Sequence, residues 1–434
     1  MKVRFLTLGC KVNQYETEAM RERLEGRGYA AAGDNEPADV LIVNSCTVTA
    51  QSDQKARQAL RRLKRQNPDA VTVLTGCWPQ AFPHEAEKLM EADIILGNSK
   101  RGELADRIME YLSTKQRIVD VAPHTKGEPF EPMSVRGFSG HTRAFLKIED
   151  GCERYCAYCI IPYARGHVRS KPMGDIRAEV AGLSERGYKE VVLTGINLPA
   201  YGQDLGITLC DAVEAACSVE GISRVRLGSL EPERLTPEVI ERMKRQDKLC
   251  PQFHLSLQSG CDATLRRMHR HYTSAEYMRI VEELRAAFPN CAVTTDVMTG
   301  FPGETEGEFM ESLDFCKRVG FAKVHVFAYS RRPGTVADRA PDQVSNAVKE
   351  RRSRVLSEAM EASRLSFLRS QVGRTEQVLI EREAGPGIWE GLTANYTPVQ
   401  VEAPGELGGQ MMRVRIKEVR DNCCFGEKSL DFHG

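Results

Sequence analysis

Cys152, Cys156 and Cys159 place three thiols within eight residues, in Asp150-Gly151-Cys152-Glu153-Arg154-Tyr155-Cys156-Ala157-Tyr158-Cys159. Iron-sulfur clusters are held by cysteine thiolates, and a 4Fe-4S cube ordinarily takes four of them. Three ligands leave one iron free to chelate a molecule through an amine and a carboxylate, beside a source of single electrons. The structural alternative is a zinc knuckle, which wants two short cysteine pairs or a nearby histidine, and the local spacing is wrong for it.

A second trio is dispersed. Cys10, Cys46 and Cys77 each terminate a predicted strand, in Thr7-Leu8-Gly9-Cys10, Val43-Asn44-Ser45-Cys46 and Leu74-Thr75-Gly76-Cys77. In an open α/β sheet the carboxyl ends of the strands converge on one crevice, so three thiols meet there. Gly9 and Gly76 let the backbone approach a bulky inorganic group. This register favours a second three-cysteine cluster over chance burial of small thiols. Cys210, Cys217, Cys250, Cys261, Cys291, Cys316, Cys423 and Cys424 show no ligand spacing and read as packed or incidental thiols.

These thiols need rigid elements behind them. Four apolar runs, Val3 to Leu8, Val40 to Asn44, Val71 to Thr75 and Ile94 to Leu96, alternate with polar helical stretches. That rhythm predicts an α/β unit, an open parallel sheet carrying the dispersed trio, over residues 1–115. Residues 116–140, with Lys126-Gly127-Glu128-Pro129 and Arg136-Gly137-Phe138-Ser139-Gly140, read as a linker. Six strand candidates follow: Ala144 to Ile148, Val191 to Thr194, Val225 to Leu227, Phe253 to Leu257, Val293 to Val297 and Val324 to Tyr329. Six βα units predict a partial (β/α)6 barrel over 141–372, with binding residues at the carboxyl ends of its strands. A basic helix from about Ser345 to Gln371 closes that unit. From 373 to 434 the runs Glu376 to Ile380, Pro398 to Val401 and Met411 to Val419 predict a small β-barrel.

The bulk composition agrees with a multidomain globular chain. Its 434 residues suggest roughly three units on a prior of about 150 residues each. Hydrophobic residues at 41% and charged residues at 28% exclude a disordered or fibrous chain. Lys+Arg and Asp+Glu both total 60, so no global attraction to nucleic acid follows. The basic run Lys55, Arg57, Arg61, Arg62, Lys64 and Arg65 reads equally well as a solvated helix face. No apolar run approaches the ~18 residues of a membrane span, and Met1 to Phe5 leads into a strand without a signal-peptide core. A cytoplasmic location is expected, where the fourteen cysteines are poor disulfide candidates.

The CxxxCxxC pattern, with Tyr158 before its last cysteine, resembles the radical S-adenosylmethionine (SAM) superfamily. The resemblance implies SAM on the open iron and Tyr158 against its adenine. Thr194-Gly195-Ile196-Asn197 resembles the segment that meets the methionyl amine, so Thr194, Gly195 and Asn197 are candidate cofactor contacts. Glu231, Gln258, Ser259 and Gly300 follow the third, fourth and fifth strands, on the rim where a cofactor sits. Arg270 is a candidate partner for the SAM carboxylate, which a guanidinium matches bidentately. For each of these alone, ordinary turn or surface duty is the competing reading.

Both trios and all three units together resemble the methylthiotransferase family over essentially the whole chain. Leu8-Gly9-Cys10-Lys11-Val12-Asn13-Gln14-Tyr15-Glu16 and Arg143-Ala144-Phe145-Leu146-Lys147-Ile148 resemble the bacterial branch acting on N6-threonylcarbamoyladenosine in tRNA. The isopentenyladenosine and ribosomal-protein branches usually differ after the first cysteine. The resemblance implies two 4Fe-4S clusters, SAM, a tRNA partner and an electron donor of unknown identity, with no membrane partner. It implies 2-methylthiolation of the adenine at position 37, next to the anticodon. One SAM would methylate a sulfur on the cluster of Cys10, Cys46 and Cys77. A second, cleaved at the cluster of Cys152, Cys156 and Cys159, would activate the C2–H bond. A reading from another class is an RNA-binding protein whose clusters only stiffen the fold.

The terminal unit resembles a TRAM domain, an RNA-gripping barrel, with Gly391-Leu392-Thr393-Ala394-Asn395-Tyr396 as the matching segment. Residues 374–434 hold seven Lys/Arg against ten Asp/Glu, a net of minus three. Binding phosphate then requires Arg413, Arg415, Lys417 and Arg420 on one face, or help from the preceding helix. Tyr396 either stacks on a base or packs in the core.

Overall fold

Val40–Ser45 and Val71–Gly76 are buried along their whole length, as apolar strands are in a parallel sheet covered on both faces. The computed structural model describes residues 1–33, 36–138 and 140–429; Ser139 of the expected linker and residues 430–434 at the chain end lie outside that set. The first sheet has six parallel strands in the order Ala30–Ala31, Lys2–Thr7, Val40–Ser45, Val71–Gly76, Ile94–Leu96 and Ile118–Asp120. The four expected strands form its centre. The sheet also takes in Ile118–Asp120, from the segment read as a linker, as an edge strand.

Helix Ala50–Gln66 starts where Thr49 accepts a hydrogen bond from the Ser52 N–H, satisfying a donor that the first turn leaves open. Half of its basic run is committed to its own domain. Arg57 stacks 5.4 Å from the Trp78 ring, Arg61 pairs with Glu91 at 3.0 Å and Lys64 with Asp93 at 3.0 Å.

The central unit is an open barrel of parallel strands in two sheets. One runs Arg224–Leu227, Glu190–Thr194, Arg143–Lys147, and the other runs Ser229–Leu230, Gln252–Leu255, Ala292–Thr299, Lys323–Ala328. Gly228 separates the strands Arg224–Leu227 and Ser229–Leu230, so one course of chain serves both sheets. Because side chains alternate, Arg143, Phe145 and Lys147 share a face, in register with Glu190, Val192 and Thr194. The opposite face carries Ala144 and Leu146, which join Val191 and Leu193 in the main core. Helix Asn346–Ser370, capped by Ser345, closes the unit.

Thr375–Gly385, Ile388–Thr393, Pro398–Glu402, Cys423–Lys428 and Met411–Arg420 form a closed five-stranded barrel around Val378, Ile380, Val399, Val414 and Ile416. Leu368 of the preceding helix packs into the same core. Two of these strands, Ile388–Thr393 and Cys423–Lys428, were not among the runs expected. In strand Met411–Arg420, Arg413, Arg415 and Lys417 alternate outward while Met412, Val414 and Ile416 point inward. A net-acidic domain thus still presents a basic row, with Lys417 paired to Glu427 at 2.6 Å.

Candidate active site

Cys152, Cys156 and Cys159 lie in the loop after strand Arg143–Lys147 and the short strand Glu149–Asp150. Gly151 has φ +93°, and a Cβ there would sit 1.9 Å from the His167 carbonyl, so only glycine lets the loop close onto that chain. Cys152 N–H donates to the Gly166 carbonyl at 2.9 Å, and Cys159 N–H to the Cys156 carbonyl at 2.9 Å. Burial, with Cys156 as a like-charged neighbour, pushes the Cys152 thiol up to about 12 and raises Cys159 as well. Thiols gathered in this way resist ionising together unless a cation binds them.

The dispersed cysteines meet at the carboxyl ends of the first sheet. Cys10 caps helix Lys11–Glu25, Cys46 follows Val40–Ser45, and Cys77 opens the short helix after Val71–Gly76. Cys46 and Gly9 are in contact, since a Cβ on Gly9 would fall 2.6 Å from the Cys46 Cβ. Asn13 Nδ2 ties the loops together, donating to the carbonyls of Leu8 at 2.7 Å and Ser45 at 3.0 Å. Burial pushes Cys46 up to about 12, with Cys77 and Cys10 adding to the rise. Cys77 is raised by burial and partly relieved by Arg165. Three such thiols from three strand ends are a donor set suited to a cluster. Among the described residues no three His, Cys, Asp or Glu side chains converge as a single metal ion requires. A cube, with one thiol per iron, spreads its ligands wider.

A buried charge network joins the two trios. Arg165, six residues after Cys159, donates from Nε to Cys77 Sγ at 3.2 Å, from Nη2 to Asn13 Oδ1 at 2.7 Å, and from Nη1 to Glu16 and Asp150. Lys147 bridges Glu16 and Asp150 at 2.7 and 2.6 Å, and Arg101 pairs with Glu16. Burial alone would raise the Glu16 carboxyl, but Arg101, Arg165 and Lys147 hold it down to about 2. No sequence periodicity announces Arg165, which ends a five-residue helix.

Both domains line one cavity of about 290 Å³. Val48 and Thr49, just after Cys46, face Tyr158, Cys159, Gln258, Asp296, Met298 and Phe327. Arg332 fastens this seam, donating to Thr47 at 2.6 Å and pairing with Asp53 at 2.8 Å.

Of the other residues singled out, Tyr158 and Gln258 line the cavity, and the buried Gln258 Oε1 has no partner. Gly195 packs on Glu149, where a Cβ would lie 2.5 Å from Oε2, and Asn197 N–H donates to that same oxygen at 2.7 Å. Thr194 ends its strand beside Gly228. Arg270 and Glu231 pair with each other, and Arg270 Nη1 also reaches Cys156 Sγ at 3.4 Å. Gly300, at φ +69°, is where Lys349 crosses, 2.4 Å from a notional Cβ. Ser259 turns away from the cavity, its hydroxyl accepting from the Cys261 N–H at 3.2 Å.

Sequence reasoning missed Glu149. Its carboxyl is fully buried, Oε1 has no partner, and burial drives its protonation well above the usual range despite the hydrogen bond from Asn197. The only signal in the sequence is an acid placed just before the cysteine loop.

Tyr396 is not available to stack on a base. Its ring lies between Arg143 at 5.1 Å and Arg226 at 4.6 Å, and its hydroxyl accepts from Arg143 at 3.0 Å. It plugs the amino-terminal mouth of the open barrel. Around it Arg226 donates to the Ala394 carbonyl at 2.9 Å and Arg224 to the Leu392 carbonyl at 3.0 Å.

The open barrel with its three-cysteine loop defines a radical SAM enzyme, and residues 146–316 match the model of the radical SAM superfamily. Residues 2–97 match the uncharacterized protein family UPF0004, and residues 369–428 match the TRAM domain. The threonylcarbamoyladenosine tRNA methylthiotransferase MtaB of Thermotoga maritima is 38% identical, over 96% of this chain and 95% of that one. The Bacillus subtilis protein of the same name is 39% identical, over 95% and 93%. The tRNA-2-methylthio-N(6)-dimethylallyladenosine synthase of Pelotomaculum thermopropionicum is 32% identical, over 100% and 98%. This chain belongs to the radical SAM methylthiotransferase family. In fold it is similar to TsrM, a radical SAM methyltransferase of Kitasatospora setae solved with cobalamin and a 4Fe-4S cluster, with a TM-score of 0.57 at 13% identity over 78% of this chain and 74% of that one. No helix among the described residues is long and apolar enough to cross a membrane.

Proposed function

We propose that the protein methylthiolates N6-threonylcarbamoyladenosine at position 37 of tRNA, next to the anticodon. The observation that carries this reading is the shared cavity: Cys159 of one trio lines it, and Val48 and Thr49, which follow Cys46 of the other, form its opposite wall. An activated carbon and its sulfur donor must meet in one closed space, and this seam provides it.

In this reading Cys152, Cys156 and Cys159 hold one 4Fe-4S cluster, and Cys10, Cys46 and Cys77 hold a second. When bound, the clusters and SAM supply the one-electron cleavage, the sulfur and the methyl group. The protein's own groups orient and enclose. Tyr158 and Gln258 wall the cofactor space, with the unpaired Gln258 Oε1 as an acceptor. Glu149 fixes Gly195 and Asn197 beneath it. Arg270, tied to Glu231, steadies Cys156. The row Arg413, Arg415 and Lys417 faces outward toward phosphate.

The test is methylthiolation of tRNA by protein reconstituted with iron, sulfide and a reductant, read by nucleoside mass spectrometry. A 2-methylthio product on threonylcarbamoyladenosine is expected; product only on the isopentenyl nucleoside would transfer the protein to the second reading. That second reading is supported by dimethylallyladenosine synthase relatives at 32% to 36% identity, a range that overlaps the 35% to 39% of the threonylcarbamoyladenosine relatives.

A further inference from the structure

Building on the threonylcarbamoyl substrate proposed above, we infer that Lys11 receives the carboxylate of the threonyl group and so selects the substrate. Lys11 directly follows Cys10 and opens helix Lys11–Glu25. Its ammonium lies 5.9 Å from the centroid of the Phe145 ring. Phe145 is on the inward face of strand Arg143–Lys147, so Lys11 reaches from the amino-terminal domain into the barrel lumen. Among the described residues it makes no hydrogen bond and no ion pair.

Its cationic neighbours are engaged. Arg226, Arg224 and Arg143 share Glu190 at 2.7, 3.5 and 4.0 Å, and Arg143 pairs with Glu381 at 2.6 Å. Glu190 and Glu381 are thus taken by the three guanidiniums, and Asp296 farther along the groove pairs with His254 at 3.3 Å. Tyr396 sits among these cations, its hydroxyl accepting from Arg143 at 3.0 Å and its ring 4.6 Å from Arg226. Among the described residues, Lys11 is the cation of this group without a carboxylate partner.

The lumen borders the cavity. Asp296 and Met298 line the cavity beside Cys159 and are in register with His325 and Phe327 on the outermost strand. His325 and Lys323 are exposed on that inward face, so the groove opens along the barrel's free edge. An adenine held at the cavity can therefore send an N6 substituent down the groove toward Lys11. A threonylcarbamoyl arm ends in a carboxylate that completes a charge-assisted pair with the ammonium. A dimethylallyl arm offers nothing, and its binding would leave the cation desolvated and unpaired.

The experiment measures equilibrium binding of anticodon stem-loop RNAs to the reconstituted holoenzyme by fluorescence anisotropy. The RNAs carry threonylcarbamoyladenosine, its threonyl methyl ester, or isopentenyladenosine. Wild-type protein should bind the acid about tenfold or more tighter than the ester, the size of a hydrogen bond to a charged group. Lys11→Met should lose that ratio, binding acid and ester alike, and Lys11→Arg should keep most of it. If Lys11→Met retains the wild-type ratio, the assignment of Lys11 is overturned while the threonylcarbamoyl reading stands. If wild-type protein prefers the isopentenyl RNA, both are overturned. The acid-to-ester comparison uses wild-type protein, so it holds even if Lys11→Met folds poorly.

Discussion

Arg165 Nε donates to Cys77 Sγ at 3.2 Å, while the same guanidinium holds Glu16 and Asn13. One side chain of the SAM-binding unit thus touches a thiol of the amino-terminal domain. Hydrogen bonds and charge at ligating sulfurs set the potential of an iron-sulfur cluster. Arg165→Met, in a chain also carrying Cys152→Ala, Cys156→Ala and Cys159→Ala, should leave iron bound at the remaining trio and lower its midpoint potential. Redox titration followed by electron paramagnetic resonance checks this; an unchanged potential would remove Arg165 from any electronic role. Because the change removes one of the cations on Glu16 and Asp150 while Lys147 stays on both, a stability loss of about 1.5–3 kcal/mol is expected in chemical denaturation.

Cys156→Ala and Cys77→Ala should fail differently. The first is expected to abolish reductive SAM cleavage, read as 5′-deoxyadenosine, and to keep roughly half the iron of the wild type, one cluster of two. The second should keep SAM cleavage and lose the methylthio product. Loss of both readouts in both variants would mean that the trios do not act separately.

The Glu16 network predicts acid sensitivity at the domain seam. Glu16 is held down to about 2 in the folded protein by Arg101, Arg165 and Lys147 against the cost of burial, and Asp150 is held below the usual range by the same cations. A carboxyl depressed on folding stabilises above its unfolded value and loses that contribution as the pH falls toward the folded one. Stability should therefore hold above about pH 5 and fall between there and pH 2. Glu16→Gln should flatten that limb in thermal melts taken across the range, and an unchanged limb would exclude the network as its origin.

Gly76 tests how the second trio is held. Its φ is +100°, and a Cβ would lie 2.3 Å from the Ser45 carbonyl oxygen. Gly76→Ala should cost about 1–3 kcal/mol in backbone strain and displace Cys77, lowering iron content without affecting SAM cleavage. Iron assay and deoxyadenosine release on the same sample separate the two effects.

Tyr396 predicts a docking defect rather than an RNA-stacking one. Tyr396→Ala should destabilise by about 3 kcal/mol, as other buried aromatic truncations do, and increase proteolytic cleavage between helix Asn346–Ser370 and the terminal barrel. Tyr396→Phe, losing only the hydrogen bond to Arg143, should cost about 1 kcal/mol. A variant that folds normally and only weakens RNA binding would restore the stacking role.

The strands that carry the cysteines were legible because a strand buried on both faces is an unbroken apolar run, as in Val40–Ser45. Ile118–Asp120 escaped because it is an edge strand of three half-exposed residues with no such run. The two trios were legible from spacing and from strand ends. Glu149 and Arg165 were not, since each takes partners from chain more than forty residues away: Asn197 for Glu149, and Glu16 and Cys77, beside the nearer Asp150, for Arg165. Tyr396 misled because its place depends on arginines from strands that only the folded barrel brings together.

Besides the Tyr396 ring, Arg224 and Arg226 grip the terminal barrel by its main chain, donating to the carbonyls of Gln377, Leu392, Thr393 and Ala394. A clasp on peptide oxygens is blind to which side chains that loop carries. The outer surface of the small barrel is thereby free to diverge, or to be exchanged between relatives, without loosening its seat, provided the chain keeps its course and Tyr396 and the two arginines remain.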